Sequence, residues 1–294
     1  MYRFSIIGPG RVGGALAIAL TASGHKISNI IFRKNKPTQK LIDAVGDPRL
    51  FSIEQNFRLD TDVVIIAAAD HDIADAVKGL AGKIEGKPIV IHTSGSLSSS
   101  ILDEFRQIGC AVGSMHPLLS ISDQFVGSGS FGSAYFCVEG DQKAIAVIKE
   151  IVAHLKGRSF AIETKMKPLY HAAAVMACGH MTALIDIATS MLSDAGIPSS
   201  ETKDLLFPLI KSTITNIGTT DLAEALTGSF ARGDIDAVDR HINAIKENES
   251  GSELLIYLLL GERSLELARI SGFDPERIEI IRKRISMEKS KLKC

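Results

Sequence analysis

The sequence contains no tryptophan, and aromatic residues make up only 5% of its 294 residues. Positive and negative charges nearly cancel, with 33 Lys+Arg against 34 Asp+Glu and a formal net charge of -1. Proteins that bind nucleic acid need a net basic face, and often aromatic rings on which bases stack. We therefore expect no nucleic-acid partner. With 45% hydrophobic and 23% charged residues, the composition is that of a globular protein.

Cysteine pairs and long hydrophobic runs are also missing. The sequence has four cysteines, at Cys110, Cys137, Cys178 and Cys294. None belongs to a Cys-x-x-Cys pair or clusters with histidine, so we expect reduced thiols and no metal site. The longest apolar runs, Val63–Ala69 and Leu254–Leu260, are far shorter than the ~20 residues that cross a bilayer. We expect a cytoplasmic protein with no membrane partner.

The first half of the sequence alternates between strand and helix signals. The predicted strands are Tyr2–Ile7, Ile27–Phe32, Arg49–Ile53, Asp62–Ala69, Pro88–His92, Ala111–Met115, Ser133–Val138 and Arg158–Glu163. The predicted helices between them are Arg11–Ser23, Asp72–Leu80, Ser98–Ile108 and one that opens at Asp141. A continuous apolar strand such as Asp62–Ala69 is typical of a parallel sheet covered on both faces. The pattern predicts a doubly wound, mainly parallel α/β domain of Rossmann type over residues 1–160.

After Glu163 the sequence contains no further strand signal, and residues 161–294 are predicted to form an all-helical domain. The predicted helices are Lys165–Ala195, Ser200–Ile217, Asp221–Leu226, Ile235–Lys246, Ser252–Ile270 and Pro275–Lys291. Asp234 and Asp274 are predicted N-caps. The segment Ala172–Cys178 is apolar on every side, which predicts a helix buried on most sides. A domain boundary is therefore expected near residue 160.

A glycine-rich turn joins the first strand to the first helix. It has the pattern G-x-G-x-x-G, with Gly8, Gly10 and Gly13 at the three glycine positions. The first glycine permits a tight turn, the second lets the backbone approach a pyrophosphate, and the third lets helix and strand pack closely. The unpaired N–H groups of the helix N-terminus then hold the phosphates. The alternative is an ordinary strand–helix turn, but the position and context favour dinucleotide binding.

The residues after the second predicted strand indicate which dinucleotide is bound. An NAD-binding site has an acidic residue there, whereas this sequence has Arg33, Lys34 and Lys36. Cations at this position can pair with the 2′-phosphate of NADP, and arginine can do so through two hydrogen bonds. We predict NADP(H) rather than NAD(H). The alternative is that these residues are solvated side chains of a turn.

Polar residues follow three later strands at the sheet edge where doubly wound domains bind ligands. His92, Thr93 and Ser94 end one strand, and His116 ends another before the rigid Pro117. The predicted cofactor-binding residues are Gly8, Pro9, Gly10, Arg11, Val12, Gly13, Arg33, Lys34, Ala68, Ala69, His92, Thr93 and Ser94.

Several further motifs carry a resemblance to a known family. They are Gly8–Gly13, His92–Gly95, Gly113–Leu118, Tyr170–Ala174, Ala225–Gly228 and Ala231–Asp234. On these motifs the chain resembles the superfamily of 6-phosphogluconate dehydrogenase and pyrroline-5-carboxylate reductase. Within it, the chain is most similar to a group of NADP oxidoreductases with a helical domain of unknown function, the 2520 type. One departure is Cys178-Gly179-His180, where that group has Ala-Ser-Asn.

The resemblance implies three catalytic candidates. Hydroxy-acid dehydrogenases of this superfamily carry a lysine on the first long helix of the helical domain, followed four residues later by asparagine. The matching positions here are Lys167 and His171, so histidine replaces the asparagine. His116 resembles the histidine that sits at the substrate hydroxyl in prephenate dehydrogenases. We expect these three residues to converge on the nicotinamide and on substrate.

Each catalytic candidate also has a purely structural interpretation. Lys167 would be a solvated residue of a first helical turn, His171 a hydrogen-bonded core histidine, and His116 a residue that fixes the Pro117 turn. The predicted substrate-binding residues are Ser94, His116, Tyr170, His180, Asn216 and Arg232. For Arg232 the alternative is an exposed surface side chain.

The predicted function is that of an NADP(H)-dependent oxidoreductase. Hydride would pass to or from a small carbonyl, hydroxy or imine compound in the cleft between the two domains. One alternative is a pyrroline-carboxylate or ketopantoate-type reductase, and another is a non-catalytic NADP-binding sensor or interaction protein. Because relatives often dimerise through the helical domain, we expect a homodimer. Participation of a deazaflavin coenzyme is left open by the sequence.

Overall fold

A computed structural model describes residues 1–248 and 251–292 of the chain. Its first part contains one eight-stranded sheet. The strands are β1 (Arg3–Ile7), β2 (Lys26–Phe32), β3 (Arg49–Ser52), β4 (Val63–Ile66), β5 (Ile89–His92), β6 (Ala111–Pro117), β7 (Tyr135–Gly140) and β8 (Arg158–Ala161). They lie side by side in the order β3-β2-β1-β4-β5-β6-β7-β8. Cys294, one of the four cysteines, lies outside the described residues.

The first six strands are parallel, and the sheet then reverses. β7 pairs antiparallel with β6, and β8 runs parallel to β7. The strand order changes direction at β1 and β4, and the carboxyl ends of strands at such a switch point form the usual ligand site of a doubly wound fold. The predicted fold class, a doubly wound and mainly parallel sheet followed by helices, is therefore confirmed.

Helices cover both faces of the sheet. They are α1 (Arg11–Ala22), α2 (Gln39–Ala44), α3 (Asp70–Leu80), α4 (Asp103–Gln107), α5 (Gln124–Ser128) and α6 (Gln142–His154). One hydrophobic layer joins α1 and α6 to one face, and a second joins α3 to the other. All four residues of β4 are buried, because neither face of this central strand reaches solvent.

Two short helices were not apparent from the sequence pattern, and one predicted helix is divided. Thr38 caps α2 by accepting a hydrogen bond from the N–H of Leu41, and Asp123 caps α5. The predicted helix Ser98–Ile108 is instead a 3₁₀ turn, Ser99–Leu102, followed by α4. These elements are one turn or little more in length, so their hydrophobic periodicity is too short to read.

The predicted long helix Lys165–Ala195 is also interrupted. It begins as α7 (Lys167–Val175) and passes through a π-helical turn at Met176–His180. The prediction that Ala172–Cys178 is buried on most sides is wrong for the single chain. Met176 is 62% exposed and Cys178 is exposed.

The remaining elements are all helical. They are α8 (Met181–Asp194), α9 (Ser199–Thr219), α10 (Leu222–Ala225), α11 (Ile235–Asn248), α12 (Gly251–Ile270) and α13 (Pro275–Leu292). The last three helices share a hydrophobic core around Ile242, Leu258 and Ile281. Asp234 accepts a hydrogen bond from the N–H of Ala237 at 3.0 Å, as its predicted capping role requires.

The chain divides into two compact units, Met1–Gly179 and His180–Cys294. The first unit contains the sheet together with α7, and the second contains the helices from α8 onward. Because α7 packs with the sheet, residues 161–179 belong to the compact unit of the sheet. The domain boundary predicted near residue 160 stays a prediction.

One helical stretch, Thr164–Asp194, is long and apolar enough to cross a membrane by length and composition alone. This stretch is longer than the apolar runs identified in the sequence. A search for unbroken apolar runs misses it because polar residues interrupt it. The same test is passed by helices that pack against other protein surfaces, so it is weak evidence for a membrane span.

Candidate functional site

The glycine-rich turn has the geometry that phosphate binding requires. Gly8 has a φ of +87°, in the left-handed region that favours glycine. A Cβ atom at Gly13 would lie 2.1 Å from the carbonyl oxygen of Gly8, so only glycine lets α1 pack this closely on β1. A Cβ atom at Gly10 would meet nothing within 4 Å. The open side of Gly10 at the start of α1 therefore leaves room for an anionic group.

An open cleft of about 930 Å³ extends from this turn along the carboxyl ends of β1, β2 and β4. Seven of the predicted cofactor-binding residues line it: Gly8, Pro9, Gly10, Arg33, Lys34, Ala68 and Ala69. The six others, which are Arg11, Val12, Gly13, His92, Thr93 and Ser94, do not line it. The first three belong to the beginning of α1, and the last three to the end of β5 and the turn that follows it. For all thirteen residues, cofactor contact stays a prediction.

The basic cluster at the end of β2 is partly neutralised by α3. Arg33 lies 2.5 Å from a carboxylate oxygen of Asp72 and 3.7 Å from one of Asp75. All three side chains are more than a third exposed, so these ion pairs contribute little to stability. They do orient the guanidinium at the cleft wall, which Lys34 also lines. The sequence pattern could not reveal the two acidic partners, because they come from another element.

These residues fit a dinucleotide with a phosphate on its adenosine ribose. Gly10 has no side chain between the cleft and the N-terminus of α1, and no side chain caps that N-terminus. Its backbone N–H groups and the positive end of the helix dipole are therefore available to phosphate oxygens. At the other end of the cleft, Arg33 and Lys34 can neutralise a further phosphate.

A second cluster brings together two of the predicted catalytic residues. The rings of His116, at the end of β6, and His171, on α7, have centroids 5.9 Å apart. Both rings border Gly95: a Cβ atom there would lie 2.5 Å from Cδ2 of His171 and 2.8 Å from Nε2 of His116. Tyr170 lies behind His116, with its hydroxyl 2.7 Å from Nδ1. The absent side chain of Gly95 thus makes the space in which both histidines sit.

The third predicted catalytic residue, Lys167, lies behind this cluster and is fully buried. Its ammonium donates hydrogen bonds to the Ser94 carbonyl oxygen at 2.8 Å and to the Ser114 hydroxyl, and lies 3.8 Å from Glu139. Burial lowers the pKa of Lys167, and the carboxylate of Glu139 counteracts this effect. The interpretation of Lys167 as a solvated residue of the first helical turn is therefore wrong.

Glu139 is the counter-charge that makes burial of Lys167 possible. It is only 2% exposed and accepts hydrogen bonds from the N–H and hydroxyl of Ser99, at 2.7 and 2.8 Å, and from Thr164 at 3.0 Å. Sequence reasoning missed both Glu139 and Ser114. An available signal was the acidic residue directly after the apolar strand Ser133–Val138, since buried carboxylates are almost always paired.

His92 and Ser94 shape the turn after β5. Nδ1 of His92 accepts a hydrogen bond from the N–H of Ser94 at 3.2 Å. The Ser94 hydroxyl accepts hydrogen bonds from the N–H groups of Ser96 and Leu97, at 3.2 and 3.0 Å. Both side chains are buried, and they hold Gly95 in place. Burial, followed by the nearby charge of Lys167, lowers the pKa of His92 to about 3.

Asp70 connects this turn to the cleft. It is the first residue of α3, directly after the cleft residue Ala69, and its carboxylate accepts a hydrogen bond from the hydroxyl of Ser96. Burial would raise the pKa of Asp70, but the hydroxyls of Ser96 and Ser94 and the charge of His171 hold it below its usual value. Asp70 was not among the residues predicted from the sequence.

The remaining predicted substrate residues belong to the second compact unit. His180, Asn216 and Arg232 are all exposed in the single chain. The backbone carbonyl of Asn216 accepts hydrogen bonds from Thr220 at the end of α9. Their part in substrate binding stays a prediction. Within the described ranges, no group of three or more histidine, cysteine, aspartate or glutamate residues is arranged to hold a metal ion.

Two family profiles match the chain. Residues 2–117 match the family described as a Rossmann-like domain, and residues 134–264 match a domain of unknown function, DUF2520. The second match begins next to β7, within the sheet, and ends within α12. No functionally curated protein matches the sequence.

Solved structures with the same fold cover almost the whole chain. A candidate NADP oxidoreductase from Bacteroides fragilis is 21% identical, with a TM-score of 0.73, over 90% of this chain and 97% of that protein. Protein TM1727 from Thermotoga maritima is 22% identical, with a TM-score of 0.72, over 91% and 99%. A reductive aminase from Aspergillus terreus, solved with NADPH and ethyl levulinate, is 16% identical, with a TM-score of 0.62, over 93% and 100%. At these identities the likeness shows a common fold.

We predict that the protein loses stability as the pH falls from 7 to 5. Burial first, and then nearby positive groups, lowers the pKa of His92 to about 3 and that of His116 to about 4. In the unfolded chain both titrate near 6.5, so between these values the unfolded state binds more protons than the folded state. The stabilisation is present above pH 6.5, and roughly 2 kcal/mol for each histidine is lost by pH 5.

Urea unfolding at several pH values between 7 and 5 measures this loss. His92→Asn keeps an oxygen that can accept the Ser94 N–H but has no titrating ring, so about half of the loss should disappear. His71→Asn, at an exposed position, is the matched control and should behave like the wild type. A slope in His92→Asn equal to that of the wild type would contradict the prediction.

Proposed function

We propose that this chain, which joins a Rossmann-like domain to a domain of the DUF2520 family, is an NADP(H)-dependent oxidoreductase. Its substrate would be a small carbonyl, hydroxy or imine compound. The observation that carries the proposal is the continuity of the two clusters along one edge of the sheet. Ala69 lines the phosphate-binding cleft, and the adjoining Asp70 accepts a hydrogen bond from Ser96. Gly95, which directly precedes Ser96, borders the rings of both His116 and His171.

The cofactor would be held by backbone at one end and by cations at the other. The N–H groups at the start of α1, next to Gly10, would bind the pyrophosphate, and Arg33 with Lys34 would bind the 2′-phosphate. When bound, the nicotinamide supplies or accepts the hydride. The proteins named above as a candidate NADP oxidoreductase and as a reductive aminase with NADPH support this choice of cofactor.

His171 is the group that can donate or accept a proton beside the substrate, and His116 can hydrogen-bond the reacting group. Imidazole side chains serve as general acids and bases near neutral pH, provided that they lie within hydrogen-bond reach of the reacting group. We propose that Lys167 acts differently, as a positioning residue. Its ammonium is occupied by Ser94, Ser114 and Glu139, so it holds the turn after β5 against α7 and does not touch substrate.

The apolar surfaces of the second unit support a homodimer. On α8, Met181 and Leu184 are each 41% exposed, and on α9, Leu205 and Leu209 are 56% and 62% exposed. Each pair is three or four residues apart and therefore lies on one face of its helix. Contiguous exposed apolar surfaces of this kind usually mark protein–protein interfaces. We propose that a second copy of the chain covers them and that the dimer is cytoplasmic.

The wild type should bind NADPH at least tenfold more tightly than NADH, because only NADPH carries the 2′-phosphate. Arg33→Ala should weaken NADPH binding about tenfold, which corresponds to about 1.4 kcal/mol, and leave NADH binding unchanged. Calorimetric titration measures both affinities. Arg58→Ala, which removes an exposed arginine outside the cleft, is the control. Equal affinity of the wild type for the two cofactors would rule out the NADP preference.

The wild type should oxidise NADPH in the presence of at least one compound from a panel of small carbonyls and imines. The panel should include pyrroline-carboxylate and ketopantoate, which test the more specific reductase alternative. His171→Ala should lower kcat by about 10²–10⁴-fold, the usual contribution of a general acid or base. His116→Asn should lower it by about 10²–10³-fold, the usual contribution of a hydrogen-bond donor at the reacting group. Their affinity for NADPH should not change. Tight NADPH binding without turnover on any compound would identify a sensor instead.

The homodimer is tested by light scattering at micromolar concentration. The wild type should have the mass of two chains, and Leu205→Glu/Leu209→Glu should have the mass of one, because two carboxylates would be buried without partners at the interface. Ile108→Glu changes an equally exposed hydrophobic residue of the first unit and should remain dimeric. A monomeric wild type would refute the proposed dimer.

A further inference from the structure

The two ring nitrogens of His116 have different surroundings. Nδ1 lies 2.7 Å from the hydroxyl of Tyr170, inside the protein. Nε2 faces the opposite way, toward Gly95, where a side chain is absent and a Cβ atom would lie only 2.8 Å away. A neutral imidazole carries one proton, so the nitrogen that holds it decides whether His116 offers a donor or an acceptor at Gly95.

The hydroxyl of Tyr170 decides which nitrogen is protonated. Burial, and then the charge of the neighbouring Cys137 and a hydrogen bond to it, raises the pKa of Tyr170, so its hydroxyl keeps its proton and has two acceptors within reach, Cys137 and Nδ1 of His116. Cys137 is the register partner of His116 across the antiparallel β6–β7 pair, so their side chains share one face of the sheet. A thiol sulfur is a weak acceptor, whereas a neutral imidazole nitrogen is a strong one. The hydroxyl proton therefore points at Nδ1.

Burial first, and then the groups around it, keep His116 neutral. Burial, followed by His171 and the buried ammonium of Lys167, lowers the pKa of His116 to about 4, although Asp70 acts in the opposite direction. Burial also raises the pKa of the Cys137 thiol, and the nearby charge of Lys167 acts in the opposite direction. At neutral pH the ring therefore has a single proton, and Nδ1 is already occupied as an acceptor.

We propose that Tyr170 fixes His116 as the neutral tautomer with its proton on Nε2, and that this N–H is the hydrogen-bond donor facing Gly95. Its use on a carbonyl oxygen or imine nitrogen rests on the proposed function, whereas the tautomer itself does not. Tyr170 is then a positioning residue that acts through His116. Giving up the Nε2 proton would require Nδ1 to take the hydroxyl proton of Tyr170, whose pKa is raised. His116 therefore polarises the substrate, and His171 delivers the proton.

The tautomer can be measured directly by nitrogen NMR of the ¹⁵N-labelled full-length protein. Long-range proton–nitrogen spectra separate protonated from bare ring nitrogens, and the His116 signals are identified by their absence in His116→Asn. In the wild type, Nδ1 should appear bare and Nε2 protonated at every pH from 7 to 5. Tyr170→Phe keeps the ring but removes the hydroxyl, so its His116 should show averaged signals from both tautomers.

Tyr135→Phe provides the matched control. Tyr135 is two residues from Cys137 on β7, and its hydroxyl accepts a hydrogen bond from Arg158 rather than contacting His116. This variant should leave the His116 spectrum unchanged. A protonated Nδ1 in the wild type, or an unchanged spectrum in Tyr170→Phe, would overturn the proposal. If the spectra agree with it but no compound is reduced, the proposed function fails and the tautomer stands.

Once a substrate is known, the same variants distinguish positioning from loss of structure. Tyr170→Phe should lower kcat about tenfold or more while leaving the affinity for NADPH unchanged, because the cleft does not include Tyr170. Tyr135→Phe should retain wild-type kcat. Full kcat in Tyr170→Phe, together with averaged His116 signals, would show that the tautomer has no catalytic use.

Discussion

The arrangement of the site depends on one buried cation. Taking an ammonium out of water costs several kcal/mol unless its partners replace the lost hydration. Lys167 has such partners in the Ser94 carbonyl, the Ser114 hydroxyl and Glu139, which come from three separate segments of the sheet unit. The first residue of α7 is therefore fixed against the ends of β5 and β6. Tyr170, three residues later, and His171, four residues later, share a helix face with Lys167 and reach His116 for that reason.

The sequence was sufficient to predict the parts that depend on local physics. The phosphate turn could be predicted because each of its three glycines meets a separate steric requirement. The structure shows tight packing at Gly8 and Gly13 and an open side at Gly10. The alternation of strands and helices predicted the sheet. The buried run of β4 could be recognised because both faces of a central parallel strand are covered.

The features that depend on contacts between distant segments could not be predicted from the sequence. From the sequence, Lys167 can be a catalytic or a solvated residue, since nothing near it in the sequence indicates that it pairs with Glu139. Cys137 reaches His116 only through the antiparallel register of β6 and β7. The apolar segment Ala172–Cys178 predicted burial, and the sequence could not say whether this chain or another would supply the cover.

The reversal of β7 has a consequence for how such sites diversify. In the parallel strands, only residues at the carboxyl ends reach the ligand edge of the sheet. Because β7 runs the other way, its early residues lie beside the end of β6, with Phe136 opposite Pro117 and Cys137 opposite His116. Because neighbouring residues of a strand face opposite sides of the sheet, Cys137 shares the face of His116 whereas Phe136 packs in the core on the other side. Substitutions at Cys137 can change the polarity and volume behind His116 while leaving every strand-end residue intact. Position 137 is therefore where changes to the surroundings of His116 should begin.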